Sequence, residues 1–342
     1  MQQILTYTFL VFYTVTILSI VLVIITDNRN PLKTLPWIIV LVFAPVVGLV
    51  FYFFFGQNLS KQRIISRRTR KRITMQLEEA RDTGRPEIPE EHRRLAALLY
   101  STTHSVALYG SRITPYTDGR SKMEALLAEI ARAKHHIHIQ YYIFCDDETG
   151  RRLRDALVEK VRQGVEVRIL YDDVGCSGVK KDFFEGMRRE GIEVFSFLHV
   201  KFPLFTSKVN YRNHRKIAVI DGRVGFIGGM NVADRYVRGT GWGSWRDTHF
   251  RIEGSGAAGL QVSFLSDWSA TTKQHITGAA YFPQSERHAE NILQIVPSGP
   301  FGQWRALLQA DSYAVSNARR RIWIQTPYYL PSDVLNTALQ VA

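Results

Sequence analysis

The stretch NHRKIAVIDGRVGFIGGMN, residues 213–231, decides how this chain is read. Its two apolar runs, 216–220 and 224–227, are rich in Ile, Val and Phe, the composition of β-strands. The dipeptide Asp221-Gly222 between them suits a tight two-residue turn. The stretch therefore predicts a β-hairpin.

Two basic side chains open this hairpin. His214 and Lys216 are two residues apart, and alternate residues of a strand point to the same side. A cationic Lys216 can hold phosphate oxygens while the imidazole of His214 attacks phosphorus or donates a proton. Further along, Gly228 and Gly229 allow close backbone approach, and Asn231 offers an amide donor. The stretch has the groups that phosphoryl transfer without a metal requires.

Elements around the hairpin alternate between helix and strand. Ser121 and Glu124 match a capping box, which predicts that a helix begins there. Helical patterns at 149–162 and 180–189 alternate with strand patterns at 137–143, 165–171 and 192–198. Alternation of this kind predicts an α/β sandwich with a mostly buried sheet.

Composition limits the partners and the compartment. The chain of 342 residues has a formal net charge of +13, which indicates an anionic partner: a membrane surface, nucleic acid or an anionic substrate. Its two cysteines, Cys145 and Cys176, have neither metal-site spacing nor a disulfide framework. The main domain is therefore expected in a reducing compartment.

Two further groups of polar residues are candidate sites. His135, His136 and His138 lie at or in a predicted strand without Cys or acidic partners at ligand spacing, which favours polar strand residues over a zinc site. Asp172 and Asp173 end a strand, where acids bind a cation or, more commonly, cap the next segment. Neither group changes the interpretation, and no metal is expected.

The amino terminus has two uncharged stretches, residues 4–25 and 35–55, each long enough to cross a membrane as a helix. A cleaved signal peptide is disfavoured because the start lacks basic residues and a second apolar stretch follows. A run of basic residues without an acid comes next, which by the positive-inside rule places the main domain in the cytoplasm. Its members are Lys61, Arg63, Arg67, Arg68, Arg70, Lys71 and Arg72.

The motif His-x-Lys-x4-Asp-x6-Gly-Gly-x-Asn, occupied by the residues named above from His214 to Asn231, resembles the signature of the phospholipase D superfamily. The resemblance implies a mixed-sheet α/β sandwich, a phosphohistidine intermediate, a second histidine that protonates the leaving alcohol, and no cofactor. It also implies that Asp221 is catalytic, although Asp221 lies at the turn and out of phase with His214. Asp247, in a strand similar to one of that family, is implied to orient the imidazole; a surface ion pair is the alternative.

The amino-terminal sequences NPLKTLPW at 30–37 and GLVFYFFFG at 48–56 narrow the resemblance to bacterial cardiolipin synthases. That family implies a multi-pass protein of the bacterial cytoplasmic membrane that transfers a phosphatidyl group between two phosphatidylglycerol molecules, with anionic lipid as partner and no nucleic acid. The domains expected are a transmembrane hairpin at 1–58, a basic juxtamembrane segment and linker at 59–95, and a first phospholipase D-like domain at 96–300. A second such domain is expected to begin at 301–342.

A short internal repeat supports that last expectation. Ile-x-Ile-Gln occurs at Gln140 and again at Gln325, an offset of 185 residues, and helical patterns flank both copies. We therefore expect a sequence truncated at its carboxyl end, whose second histidine would lie near position 399 and whose isolated chain has little activity. The alternatives are a phospholipase D, a single-motif phosphodiesterase or nuclease that pairs two chains, and an inactive membrane scaffold.

Overall fold

The computed structural model describes residues 1–26, 31–52, 67–80, 87–197, 212–299 and 305–342. These residues form two units. Residues 1–26 and 31–52 belong to an amino-terminal unit, and the other described ranges belong to a main unit.

The amino-terminal unit contains the helices α1 (Gln2–Thr26), α2 (Pro31–Phe43) and α3 (Pro45–Phe51). The prediction of one helix at 35–55 is wrong, because the chain bends at Ala44 and α3 begins at Pro45, which has no backbone N–H to continue the α2 ladder. Within the described residues, no helix combines the length and the apolarity needed to cross a membrane. The predicted transmembrane hairpin is therefore not confirmed.

The first half of the main unit contains two helices followed by alternating strands and helices. These are α4 (Arg67–Ala80), α5 (Glu90–Thr103), β1 (Leu108–Tyr109), β2 (Arg112–Tyr116), α6 (Gly119–Arg132), β3 (His136–Tyr141), α7 (Glu148–Arg162), β4 (Glu166–Asp172), α8 (Lys181–Arg189) and β5 (Glu193–Phe197). The predicted order of helix and strand is confirmed here. Residue 198, the predicted end of the last strand, lies outside the described residues.

The second half begins with the predicted hairpin. It contains β6 (Ile217–Ile220), β7 (Val224–Gly228), α9 (Asp234–Arg238), β8 (His249–Glu253), α10 (Ser255–Thr272), β9 (Ile292–Leu293), α11 (Ala306–Ser316) and α12 (Asp333–Val341). Asp221 and Gly222 have positive φ angles of 52° and 65°, as a tight hairpin turn requires. The β-hairpin is confirmed, although β6 begins one residue later than predicted.

Within the described ranges, seven strands form one mixed sheet in the order β2-β8-β7-β6-β3-β4-β5. β3, β4 and β5 are parallel, as their connecting helices α7 and α8 require, and the remaining neighbours are antiparallel. Because β6 runs antiparallel to β3, Ile217 at its start pairs with Gln140 near the carboxyl end of β3. The start of the hairpin therefore lies at the carboxyl edge of the parallel strands.

Helices cover both faces of this sheet. Alternate residues of β3, such as Ile137 and Ile139, pack in a core with α6, α7 and α8. The intervening His138 and Gln140 bond to side chains of α10 on the opposite face. All six residues of β3 are buried. The strand is apolar on the face that packs in the core and polar on the face that bonds to α10.

Two predicted boundaries differ in the structure. Helix α6 begins at Gly119, and the carboxylate of Asp118 caps it by accepting the backbone N–H of Ser121 at 2.8 Å. The predicted capping box at Ser121 is therefore wrong, because an acid three residues earlier already serves as the N-cap. Part of the predicted linker is also core, since Ile73 and Leu77 of α4 are buried in one cluster with Trp268 of α10.

The internal repeat yields two helices and no paired strand. Helices α11 and α12 form on either side of residues 318–329, as the flanking helical patterns predict, and this segment repeats the sequence of β3 without forming a strand. No described strand pairs with this segment, and an isolated strand leaves its backbone groups without partners. Trp323 is 84% exposed, in contrast to its counterpart His138, which is buried in the sheet.

Candidate active site

His214 and Lys216 lie just before β6, next to the end of β3. The aromatic ring of Tyr142, which follows β3, contacts both residues. Its centroid lies 4.6 Å from that of the His214 imidazole, in an edge-on arrangement, and 5.4 Å from the Lys216 ammonium nitrogen. The Lys216 ammonium donates to the backbone carbonyl of His214 at 2.6 Å. Tyr142 thus brings the two predicted residues together, and sequence reasoning missed it.

Exposure and charge differ sharply between the two residues. His214 is exposed although one side of its ring packs on Tyr142, whereas Lys216 is only 3% exposed. Desolvation lowers the pKa of His214, and the positive charge of Lys216 lowers it further. Burial lowers the pKa of Lys216 to about 8. The pair therefore offers a neutral imidazole next to an ammonium group that holds its proton only weakly.

Two carboxylates act on this pair through their charges. Asp172 and Asp247 both oppose the lowering of the His214 pKa, and Asp247 does the same for Lys216. No hydrogen bond joins Asp247 to His214 among the described side chains; Asp247 instead accepts the backbone N–H of Thr248 at 2.7 Å. Asp247 therefore acts on the imidazole through its charge, and the orienting role that the resemblance implies for it stays a prediction.

A group of buried polar residues fixes the backbone on either side of His214. Asp172 accepts the backbone N–H of Asn213 at 3.0 Å, and its other oxygen caps the turn after β4. Asp267 of α10 accepts from the Asn213 amide at 2.8 Å and also bonds to the Arg215 guanidinium. The same carboxylate oxygen accepts from Gln140 at 2.7 Å. These contacts hold residues 213–215 against the sheet.

Asp221 lies at the opposite end of β6 from His214. Its carboxylate accepts the backbone N–H groups of Lys134 and His135, each at 2.8 Å, and of His136 at 2.9 Å. The backbone N–H of Asp221 donates to the His136 carbonyl at 2.9 Å. The structure therefore does not bring Asp221 together with His214. The resemblance implies that Asp221 is catalytic, but in the structure its carboxylate fastens the hairpin turn to the start of β3.

The paired glycines allow close approach of protein groups. A Cβ at Gly228 would lie 2.5 Å from the His249 Cα, and one at Gly229 would overlap the Asp247 carboxylate. The Gly229 N–H donates to the Thr248 carbonyl at 2.9 Å. The predicted approach of phosphate to these glycines stays a prediction; the group that approaches them in the structure is the segment carrying Asp247. The Asp247 carboxylate can occupy its position only because residue 229 has no side chain.

Asn231 is buried and its amide bonds to protein groups. Its oxygen accepts the backbone N–H of Ile143 at 3.0 Å, and its nitrogen donates to the Tyr236 hydroxyl at 2.6 Å. The sequence predicts that this amide contacts phosphate, but to do so it would have to give up one of these two hydrogen bonds. Asn231 connects the segment after β3, where Tyr142 lies, to helix α9.

The histidines at the far end of β3 form a separate polar chain. His135 and His136 bond to each other at 2.8 Å, and Gln261 of α10 bonds to His136 and His138 at 3.0 Å each. Burial lowers the pKa of His136 to about 4. Within the described residues no cluster of His, Cys, Asp and Glu could hold a metal ion. These histidines connect the sheet to α10.

Comparison with known families and proteins agrees with this geometry. Residues 126–242, which include β3 and the whole hairpin, match the family described as cardiolipin synthase, PLD-like domain. Residues 12–57 match the family described as phospholipase D-nuclease N-terminal. The first match spans the segment in which His214, Lys216 and Tyr142 meet.

Individual relatives extend the match to almost the whole chain. The major cardiolipin synthase ClsA of Bacillus subtilis is 36% identical over 97% of this chain and 71% of its own length. The cardiolipin synthase of Geobacillus kaustophilus is 35% identical over 98% of this chain and 68% of its own length. Among solved structures, Nuc from Salmonella typhimurium, a phospholipase D family member, covers 48% of this chain and 96% of its own, with 17% identity and a TM-score of 0.36. On the identity to the two cardiolipin synthases, which extends over almost the whole chain, the chain belongs to the cardiolipin synthase family.

Proposed function

We propose that this chain belongs to a phosphatidyltransferase that joins two phosphatidylglycerol molecules into cardiolipin and releases glycerol. One observation carries the proposal: an exposed imidazole and a nearly buried ammonium group meet on the ring of Tyr142. The relatives that match nearly the whole chain bear the name cardiolipin synthase. No cofactor is part of the proposal.

The reaction divides into two displacements at phosphorus. In the first, a histidine nitrogen attacks the phosphorus of one phosphatidylglycerol, the bond to glycerol breaks, and glycerol takes a proton from a second histidine. In the second, the hydroxyl of another phosphatidylglycerol returns that proton and attacks the phosphohistidine, which gives cardiolipin and free imidazole. His214 is either the nucleophile or the acid in this scheme. Lys216 neutralises the phosphate oxygens in both steps.

The electrostatics of the pair suit this chemistry. A lowered pKa leaves the His214 ring neutral near pH 7, as a nucleophile requires. The partly buried site strengthens the attraction between the Lys216 ammonium and a phosphate, since the local dielectric constant is lower than that of water. Asp247 then stabilises an imidazolium that forms at His214, through its charge.

We assign supporting roles to the rest of the motif. Asp221 fastens the hairpin turn and takes no part in the chemistry, because its carboxylate already accepts three backbone N–H groups. Gly229 admits Asp247, and Gly228 admits the strand behind it. Asn231 fixes the segment that carries Tyr142. Gly228, Gly229 and Asn231 thereby support phosphate binding through the protein groups that they position, without contacting the phosphate.

We further propose that the amino-terminal unit attaches the enzyme to the bacterial cytoplasmic membrane, with the main unit on the cytoplasmic side. Helix α1 has no charged residue from Ile4 to its end and exposes large apolar side chains, among them Leu5, Phe9 and Phe12. The basic residues before and within α4 suit an anionic membrane surface.

The second histidine has to come from outside the described active site. We propose that it belongs either to a second phospholipase D-like domain, which residues 301–342 begin, or to a second copy of the chain. The helices α11 and α12 on either side of Gln325 support the first source. Phosphatidylglycerol and anionic lipid are the expected partners in both arrangements.

The proposal is tested with membranes that contain the full-length gene product and phosphatidylglycerol labelled in its glycerol headgroup and acyl chains. We expect cardiolipin and free glycerol in equal amounts, and neither from the His214→Gln variant. Phosphatidic acid in place of cardiolipin would indicate a phospholipase D. Cleavage of added DNA without a lipid product would indicate a nuclease, and no product of either kind would indicate a scaffold.

A further inference from the structure

A short hairpin with a fully exposed tryptophan follows the active-site motif. The backbone of Thr240 donates to the Gly243 carbonyl at 2.8 Å, and the Gly243 N–H donates back to the Thr240 carbonyl at 3.0 Å. This leaves Gly241 and Trp242 at the tip, and Trp242 is 100% exposed. We call residues 239–245 the tryptophan hairpin.

The local sequence is built to form this turn. Gly239 has a φ angle of 81°, and a Cβ there would lie 2.5 Å from the Gly243 carbonyl oxygen. Gly243 has a φ angle of 132°, which side chains rarely tolerate. The hydroxyl of Thr240 accepts the backbone N–H of Trp242 at 3.3 Å. An ordered turn thus carries a large indole into solvent.

The base of the tryptophan hairpin is fixed to the active site. Trp245 packs on Tyr236 with ring centroids 5.1 Å apart, and the Tyr236 hydroxyl accepts from Asn231 at 2.6 Å. Two residues beyond Trp245 lies Asp247, whose charge acts on His214. The base of the tryptophan hairpin is thus linked through Tyr236 to Asn231 of the active-site motif.

The charges around the tryptophan hairpin indicate which surface that is. Residues 234–247 contain three arginines and two acids, Asp234 and Asp247, whose carboxylates accept hydrogen bonds from Thr149 and from the Thr248 backbone. Arg238 pairs with Glu148, but Arg235 lies over the Tyr236 ring and Arg246 bonds to the neutral amide of Gln325. An exposed indole flanked by arginines is the combination that favours the headgroup region of an anionic bilayer.

We propose that the tryptophan hairpin inserts Trp242 into the headgroup region of an anionic membrane and so holds the main unit against the lipid surface. The proposal rests on the proposed function in one respect: a lipid substrate has to enter from that surface. It adds a second membrane contact, within the main unit, to the one proposed for α1.

Quenching of tryptophan fluorescence by brominated lipids tests the contact without any need for turnover. The full chain is inserted into vesicles of equal parts phosphatidylcholine and phosphatidylglycerol, with bromine placed near the headgroup or deep in the acyl chains. The chain has six tryptophans, so Trp242→Phe should remove roughly one sixth of the emission. We expect the lost part to be the one that headgroup-level bromine quenches.

Trp323→Phe is the matched control, because Trp323 is also highly exposed but lies outside the tryptophan hairpin. It should leave the headgroup-quenched part unchanged. Arg235→Gln combined with Arg246→Gln should reduce that part, as should vesicles of phosphatidylcholine alone. Thermal unfolding followed by circular dichroism checks that each variant is folded.

Equal headgroup-level quenching of the wild type and Trp242→Phe would overturn the proposal. A Trp242 signal that changes with protein concentration but not with brominated lipid would overturn it as well, in favour of contact with a second copy. Cardiolipin formation with unquenched Trp242 contradicts only this inference. Quenched Trp242 without cardiolipin formation contradicts only the proposed function.

Discussion

The two ends of strand β6 carry residues of one sequence motif but differ in almost every physical property. At the start of the strand, His214 is exposed and pairs with a Lys216 ammonium group whose pKa is lowered to about 8. At the other end, the Asp221 carboxylate accepts three backbone N–H groups. At the start of the strand, the exposed imidazole of His214 can still bind a ligand. At the other end, the hydrogen bonds of the Asp221 carboxylate are made within the fold.

The difference shows that a sequence motif fixes the spacing of its residues but does not fix the role of each one. A four-residue strand separates the two ends, at roughly 3.3 Å per residue, so a phosphate at His214 is out of reach of Asp221. Both ends matter for a working hairpin, but they should fail in different ways. Loss at the His214 end should remove chemistry, and loss at the Asp221 end should remove stability.

The largest effect is expected at the open end. His214→Gln removes the imidazole, and we expect turnover to fall by at least about 10³-fold, the scale of losing a nucleophile or a general acid. The midpoint of thermal unfolding should stay within about 2 °C, because the residue is exposed. Cardiolipin formation and circular dichroism measure the two quantities. Retained turnover would place the chemistry elsewhere.

Gly229→Ala tests the link between this end and Asp247. The added methyl group would overlap the Asp247 carboxylate and displace it from His214. We expect turnover to fall by about 10²-fold, as for a misplaced supporting group, while the chain remains folded. Gly178→Ala is the control, since a Cβ there meets nothing within 4 Å. Equal activity of the two variants would contradict a role for Asp247.

At the closed end, Asp221→Ala should lower stability. The change leaves the N–H groups of residues 134–136 without their acceptor, which costs about 2 kcal/mol of unfolding free energy. Denaturant unfolding measures the loss. Asp155→Ala is the control, because Asp155 is exposed and, among the residues that the structure describes, pairs only with its neighbour Arg154. An equal, negligible loss in both variants would remove the structural role.

The smallest effect is a shift in the pH profile. With His214 as the nucleophile, turnover should rise with pH through a His214 pKa below its usual range, and with His214 in either role it should fall as Lys216 loses its proton near pH 8. Lys216→Arg keeps its positive charge at higher pH, so its alkaline limb should move upward even if its maximum is lower. An unchanged alkaline limb in this variant would mean that another group titrates there.

Local patterns predicted much of the fold. The hairpin, the order of helices and strands in the main unit and the meeting of His214 with Lys216 all follow from residues close together in sequence. Contacts between distant residues escaped prediction: Asp267 holds Asn213 across 54 residues, and nothing in the sequence of α10 marks it. The buried Ile73 and Leu77 were hidden in the same way, within a strongly basic segment.

Backbone chemistry accounts for most of the other differences. Asp118 caps α6 because its carboxylate accepts a backbone N–H of the first turn. A capping box at Ser121 would have begun the helix later and made it shorter. The break between α2 and α3 could have been predicted from Pro45, which has no backbone N–H, but the uninterrupted apolar sequence favoured a single helix. Residues 318–329 carry a strand pattern, and a pattern without a neighbouring strand does not make a sheet.

The most direct test compares turnover per folded molecule in His214→Gln and Asp221→Ala, in membranes kept well below both unfolding midpoints. The assay follows cardiolipin formed from labelled phosphatidylglycerol, and the folded fraction is measured in the same samples. We expect Asp221→Ala to retain activity within tenfold of the wild type, while His214→Gln loses at least about 10³-fold. Equal, near-complete loss in two folded variants would contradict the division of roles along β6.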